Sequence, residues 1–437
     1  TPSNSSAASD VYKRQEVEIL TLEDCLRIGI DNNLSLEGKR KEIQRSKYGV
    51  SENRSKLLPQ INAIAGYSNN FDPPVSVTDG SSYGVPYNIT QTLQHSANAG
   101  LEMQMPLFNQ TLYTSMSIAK VMEEISRLSY GKAREDVILQ ISKMYYLGQV
   151  TAEQIMLIKA NITRLEELRD ITQAFFDNGM SMEVDLKRVN INLENLKVQY
   201  DNAQAMMKQQ LNMLKYIMDY PAEKEIALTP VNTDSITTVA LTGLSENIYE
   251  LQLSQSQVQL AERQKKIITN GYIPSLSLTG SWRYAAYTDK GYHWFHSGPS
   301  NQWFRSYGVG LTLRIPIFDG LDKTYKIKKA MIDIENKRLA WEDARKNLQT
   351  QYLNAVNDLM NNQRNFKKQK DNYLLAEDVY AVTSDRYREG IASMTEVLQD
   401  EMQMSEAQNN YISAHYNYRV TNLMLLKLTG QIESLVK

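Results

Sequence analysis

The residues able to do chemistry are few and scattered. Asp185 and Glu396 sit in the first turns of two helical runs, where a carboxylate complements the positive end of the helix dipole. His293 and His296 have a spacing compatible with metal binding, yet no third ligand lies nearby and the surrounding stretch is an aromatic loop with Tyr287, Tyr292, Trp294 and Phe295. Gly308-Val309-Gly310 lacks the following helix N-terminus that a phosphate loop needs. Met206, Met207 and Met213 fit helix packing better than a metal conduit, and Cys25 lies among apolar neighbours. No Ser/His/Asp, paired-base or nucleotide-binding constellation is present, so the reading is no enzyme, no cofactor and no metal. Basic and acidic residues nearly cancel, to a net charge of −2, which argues against a nucleic-acid-binding surface.

The elements that carry these residues are more informative. In Tyr307–Ile315, Tyr307, Val309, Leu311, Leu313 and Ile315 alternate with Gly308, Gly310, Thr312 and Arg314, the pattern of a strand with one apolar and one polar face. Pro316 stops the alternation, Asp319-Gly320 makes a turn, and a helical pattern then runs on to Gly390, far beyond an ordinary globular helix. An earlier copy has Ala97, Ala99, Leu101, Met103 and Met105 alternating with Asn98, Gly100, Glu102 and Gln104, followed by Pro106-Leu107-Phe108-Asn109 and another long helix.

This doubling extends along the chain at an offset of about 210 residues, which marks an internal duplication. Residues 1–17 read as a disordered or non-native leader. The first repeat, 18–218, opens on a helix with a capping box at Thr21 and Asp24 and a possible break at Asp31-Asn32-Asn33. Strands 60–68 and 97–105 follow, joined by a long polar loop, then a long helix 111–177 and a return helix 181–218. An irregular segment, 219–243, separates the halves. The second repeat, 244–430, has a helix, strands 275–284 and 304–315, a long helix 321–389 and a return helix 393–429. A tail, 431–437, closes the chain.

Lengths then suggest architecture. At 1.5 Å per residue each long helix spans roughly 100 Å, and a return helix stacked on an entry helix matches it. The reading is a helical tube with strands at one end and the Gly179 and Gly390 turns at the other. No apolar run reaches the length of about 18 residues that a membrane helix needs, so a membrane crossing would have to use strands. The four strands have the right length, but the smallest transmembrane barrels have about eight strands, so copies must combine. Asn98, Glu102, Gln104, Arg283, Thr312 and Arg314 then face a watery lumen, where Glu102 and Arg314 either tune ion selectivity or are simply solvated. Trp282, Tyr284, Trp303 and Tyr307 fit an interfacial aromatic belt. The alternative is a periplasmic coiled-coil scaffold without a pore, whose apparent strands are loops.

The sequence resembles the TolC-like outer membrane factors. The resemblance rests on the junctions Pro106-Leu107-Phe108 and Pro316-Ile317-Phe318, the strand entries at Pro59 and Pro274, the turns Gly179-Met180-Ser181 and Gly390-Ile391-Ala392-Ser393, and the opening Leu20-Thr21-Leu22-Glu23-Asp24. It implies a mainly α fold with a transmembrane β-barrel portion, in which three chains give one twelve-stranded barrel on an α-helical periplasmic tunnel. It also implies an outer-membrane exit duct that passively conducts substrates for a tripartite efflux pump or a type I secretion system. Its partners would be outer-membrane lipid, a periplasmic membrane-fusion adaptor and an inner-membrane pump of RND or ABC type; drugs, metals or proteins would be the cargo. The periplasmic gate is implied at Asp185 and Tyr387, which bond to each other in the family, and at carboxylate rings matched by Glu396 and by Gln399 followed by Asp400. Two positions depart from the pattern: Ala392 replaces a basic residue and Gln399 an acidic one, which implies a different closing network and cation affinity. Gly179, Met180, Ser181, Gly390, Ile391, Ala392 and Ser393 would contact the adaptor.

Overall fold

The computed structural model describes residues 17–72, 75–79, 81, 84, 88–91, 93–230, 243–288 and 303–436. The leader through residue 16 and the loop with Tyr292, His293, Trp294, Phe295 and His296 lie outside the described residues. The elements in chain order are β1 (Glu18–Leu20), α1 (Leu22–Asn32), α2 (Leu34–Ser55), β2 (Gln60–Asn69), β3 (Val75–Thr78), β4 (Asn88–Gln91), β5 (His95–Phe108), α3 (Gln110–Asp177), α4 (Glu183–Met218), β6 (Ile226–Leu228), α5 (Tyr249–Asn270), β7 (Ser275–Thr288), β8 (Trp303–Arg314), α6 (Asp322–Arg388), α7 (Met394–Leu428) and a short 3-10 helix, Ile432–Val436. The chain divides into two compact units, and each draws on both halves of the sequence duplication.

One unit, Ile43–Ile125 with Ser256–Leu339, contains the large sheet. Its strands are antiparallel in the order β2-β5-β7-β8. The prolines set where strands begin: α2 closes in turns at Leu57 and Leu58 ahead of Pro59, and α5 closes in turns through Ile273 ahead of Pro274. The register puts Ile61, Met103 and Gly280 side by side, and likewise Ala63, Leu101, Trp282 and Tyr307. Neighbours one residue along, such as Asn62, Glu102, Ser281 and Gly308, share the opposite face. The coiled-coil scaffold alternative required loops here; the segments are paired strands.

Strand ends differ from the sequence reading in a physically instructive way. Pro106 does not stop β5: the strand continues to Phe108, and the register shifts between Pro106, opposite Ser277, and Phe108, opposite Leu276. A bulge tolerates the proline's missing N–H and returns Phe108 to the apolar face. The connection between β2 and β5, read from sequence as a plain polar loop, carries the antiparallel pair β3 and β4.

The other unit comprises residues up to Glu42, Ser126–Gln255 and Ala340 onward, and its described elements are helices apart from β1 and β6. These short strands pair in parallel, so the segment after residue 219, read as irregular, contributes a strand at Ile226–Leu228. The capping box on α1 forms as expected: Asp24 N–H donates to Thr21 Oγ1 at 3.1 Å and Thr21 N–H donates to Asp24 Oδ2 at 3.2 Å. Asn33 separates α1 from α2 and caps the latter, its Oδ1 accepting from Leu36 N–H at 3.1 Å. Leu26, Leu36, Ile138, Ile141, Leu214, Met218 and Leu425 belong to one large apolar core. Cys25 is fully buried in it, and burial pushes its thiol up to about 12. A second apolar cluster, with Leu165, Leu168, Val189, Leu193, Tyr387, Val397 and Leu398, holds the helices that run into the two tight turns.

Candidate functional site: the two-faced sheet and the paired helix turns

Each strand of the sheet contributes to two chemically distinct faces. On one, Asn98, Glu102 and Gln104 of β5, Arg283 of β7, and Thr312 and Arg314 of β8 fall at positions of the same parity in the register. Arg283 Nη2 donates to Glu102 Oε1 at 2.5 Å, so these opposite charges neutralise one another across the strands. Asn62, Glu102, Gln104, Thr279, Ser281 and Arg283, with Gly308 and Gly310, line an open hollow of about 520 Å³. The other face is apolar and open: Tyr307 is 78% and Val309 80% exposed, and Leu101, Leu311 and Leu313 are exposed too. Trp282 and Tyr284 meet edge to face, with ring centres 5.3 Å apart. Among the described residues, strands β2 and β8 are each paired on one side only. An exposed apolar face with two open edges is unsuited to water and, as a single copy, to lipid.

The two turns that close α3 and α6 share one backbone design. Asp177 ends α3, and Gly179 follows at φ 74°; Arg388 ends α6, and Gly390 follows at φ 75°. Gly179 N–H donates to Phe176 O at 2.9 Å and Met180 N–H to Phe175 O at 2.8 Å. Gly390 N–H donates to Tyr387 O at 2.9 Å and Ile391 N–H to Arg386 O at 2.8 Å. Both are Schellman turns, and both need the left-handed backbone that glycine adopts without strain. Met180 and Ile391 are exposed at the tips, as are Gly179, Gly390 and Ser393, while Ser181 and Ala392 are half-buried.

The bond between Tyr387 and Asp185 implied by the resemblance is not made in this structure. Tyr387 is buried, its ring tilted against Phe175 at 5.6 Å, and its hydroxyl donates to Thr172 Oγ1 at 3.3 Å. Thr172 in turn donates to Leu168 O at 2.7 Å. Burial raises the Tyr387 pKa; the Thr172 bond counteracts this and the nearby Asp185 charge adds to it. Asp185 itself accepts from Arg188 Nη1 at 3.3 Å. The same Arg188 nitrogen lies 3.3 Å from Thr395 Oγ1, so it ties the start of α4 to the start of α7. Glu396 and Gln399 are exposed and Asp400 is half-buried. The N–H of Glu396 donates to the capping Ser393 Oγ at 3.3 Å.

Sequence reasoning missed four contributors here. Thr172 and Thr395 gave no signal, being common helix residues whose partners lie on another helix. Arg188 was in principle legible, one helical turn after Asp185. The fourth is Glu401, buried beside Asp400; burial raises its pKa and the Arg164 charge partly offsets that rise. Arg164 also pairs with Glu377 at 3.5 Å.

Long helices in duplicate, a four-stranded two-faced sheet and paired glycine turns define an outer-membrane channel subunit. The family model described as outer membrane efflux protein matches residues 28–218 and 240–431, and the chain belongs to that family, as a TolC-like outer membrane factor. It is thus a channel protein of the Gram-negative outer membrane that extends into the periplasm. It is 21% identical over 399 residues to outer membrane protein TolC of Vibrio cholerae, covering 88% of this chain and 84% of that one. It is 22% identical to the probable efflux pump outer membrane protein TtgC of Pseudomonas putida, covering 98% and 87%. Among solved structures, CusC superposes with a TM-score of 0.79 at 15% identity, covering 98% of each chain. The open-state MtrE channel of Neisseria gonorrhoeae gives 0.74 at 18%, covering 94% of this chain and 88% of that one.

Proposed function

We propose that this chain is the exit duct of a tripartite efflux pump, three copies closing a twelve-stranded barrel on a helical periplasmic tunnel. The observation that carries this reading is the sheet: a polar face, an exposed apolar face and two unpaired edges, β2 and β8. Pairing β8 of one copy with β2 of the next removes every edge, turns the apolar face to lipid and encloses Asn98, Glu102, Gln104, Arg283, Thr312 and Arg314 around water. Conduction through such a duct is passive, because transport energy comes from an inner-membrane pump joined through a periplasmic adaptor. The Met180 and Ile391 tips, with the flanking turn residues, are the adaptor contacts.

The gate lies at the same helical end, and Asp185, Tyr387, Glu396, Gln399 and Asp400 belong to it. Arg188 restrains α4 against α7 and holds Asp185, while Tyr387 is anchored to α3 through Thr172. Two measurements test the reading. Membrane fractionation should find a heat-modifiable oligomer in the outer membrane; a soluble rod would refute the duct. Asp185→Ala should raise single-channel conductance in planar bilayers or antibiotic leakage into cells, and no change in either would remove Asp185 from the gate.

A further inference from the structure

The apolar face of the sheet carries a permanent positive charge. Among the described residues of β2, β5, β7 and β8, the positions on this face include a single arginine or lysine, Arg305, directly opposite Tyr284. Arg305 is exposed, and its side chain makes no hydrogen bond or ion pair with any described residue. The histidine on this face is treated differently: His95 is buried and its Nδ1 lies 2.9 Å from the Tyr67 hydroxyl. A lone cation on a lipid-facing strand is costly at mid-bilayer and becomes tolerable only near the interface.

Its position fits the interface. Tyr307, Val309, Leu311 and Leu313 form the apolar row of β8 on the side that leads into α6, and Arg305 lies about 7 Å beyond Tyr307, toward the end remote from the helices. Aromatic side chains surround it in the register: Trp303 and Tyr307 on β8, and Tyr284 and Trp282 on β7. Such rings belong at the boundary between hydrocarbon and headgroups. With the helices on the periplasmic side, this end of the strand reaches the outer leaflet. A guanidinium there presents a planar fork that matches phosphate oxygens.

We propose that Arg305 is a binding site for the phosphate group of an outer-leaflet glycolipid, one site per chain. The proposal rests on the trimeric duct reading, which puts the apolar face against lipid. The test uses the purified, delipidated full-chain oligomer and native mass spectrometry with three probes: bisphosphorylated lipid A, its dephosphorylated form, and inorganic phosphate as competitor. Wild type should retain bisphosphorylated lipid A, and Arg305→Gln should bind it about fivefold more weakly. Arg305→Lys should recover part of the loss, Arg314→Gln on the polar face should match wild type, and dephosphorylated lipid should bind all variants alike.

Equal retention by Arg305→Gln overturns the site. Competition by inorganic phosphate as effective as that of the lipid would make it a free-anion site and overturn the lipid assignment. Loss of the oligomer in lipid-free Arg305→Gln would make Arg305 a contact between chains instead. A wild-type chain that forms no outer-membrane oligomer would remove the duct reading itself, an outcome separable from the others because it precedes any lipid titration.

Discussion

The turn at Gly179 and the turn at Gly390 have the same backbone and different side-chain dressing. Each closes a helix of more than 65 residues with a left-handed glycine and the same pair of hydrogen bonds. Beyond the glycine they part. The helix after Gly390 begins with Ser393, whose hydroxyl accepts from Glu396 N–H, whereas the helix after Gly179 begins with Met182, which offers no side-chain cap. One position within each return helix contrasts more sharply: buried Glu401 near Arg164 on α7 corresponds, about 210 residues earlier, to exposed Asn190 on α4. Duplication thus preserved what the backbone requires, while the side chains diverged to give two unequal lips.

The largest effect should come from the shared feature. Gly179→Ala and Gly390→Ala each place a Cβ on a left-handed residue and should cost about 1–2 kcal/mol, read from denaturant or thermal unfolding of the purified oligomer. Similar losses at both turns are expected from the common backbone; a loss at only one would break the equivalence. The next effect separates the lips. Ser393→Ala should destabilise by about 1 kcal/mol, while Met182→Ser should stabilise by a similar or smaller amount, since only the first turn lacks a cap. A stabilising Ser393→Ala would show that this cap is not felt.

The smallest effect is pH-dependent and confined to the second half. The buried Glu401 carboxyl has its pKa raised from the ordinary 4.5, so the folded state takes up its proton more readily than the unfolded chain. Its contribution is fully favourable below the unfolded pKa and is lost as pH rises through the raised folded value. Glu401→Gln should therefore melt higher than wild type above that range and flatten the dependence of melting temperature on pH. The exposed counterpart Asn190→Asp should show no such difference. A Glu401→Gln variant whose melting tracked wild type at every pH would contradict the burial argument.

Much of this protein was legible from its sequence because long elements repeat simple rules. Alternation of period two in Tyr307–Ile315 and Ala97–Met105, uninterrupted helical stretches, and glycine at two equivalent turns do not depend on distant neighbours. They fixed the sheet's faces, the long helices and the tight reversals. Local chemistry likewise foretold the Thr21–Asp24 cap. The bulge at Pro106 was less visible, since whether a proline ends a strand depends on the partner beside it; β7 offered Leu276 to Phe108 and pairing went on.

What only the tertiary structure decided is who meets whom across elements. Tyr387 bonds to Thr172 rather than Asp185, and Arg188 reaches Thr395 across 207 residues of chain. Pairing of Glu102 with Arg283 required the β5–β7 register. Hydrogen bonds and ion pairs are made at a few ångströms between side chains from separate helices or strands, and packing angles and registers set those distances. Residue type alone says what a side chain can bond to, and the folded backbone selects the partner.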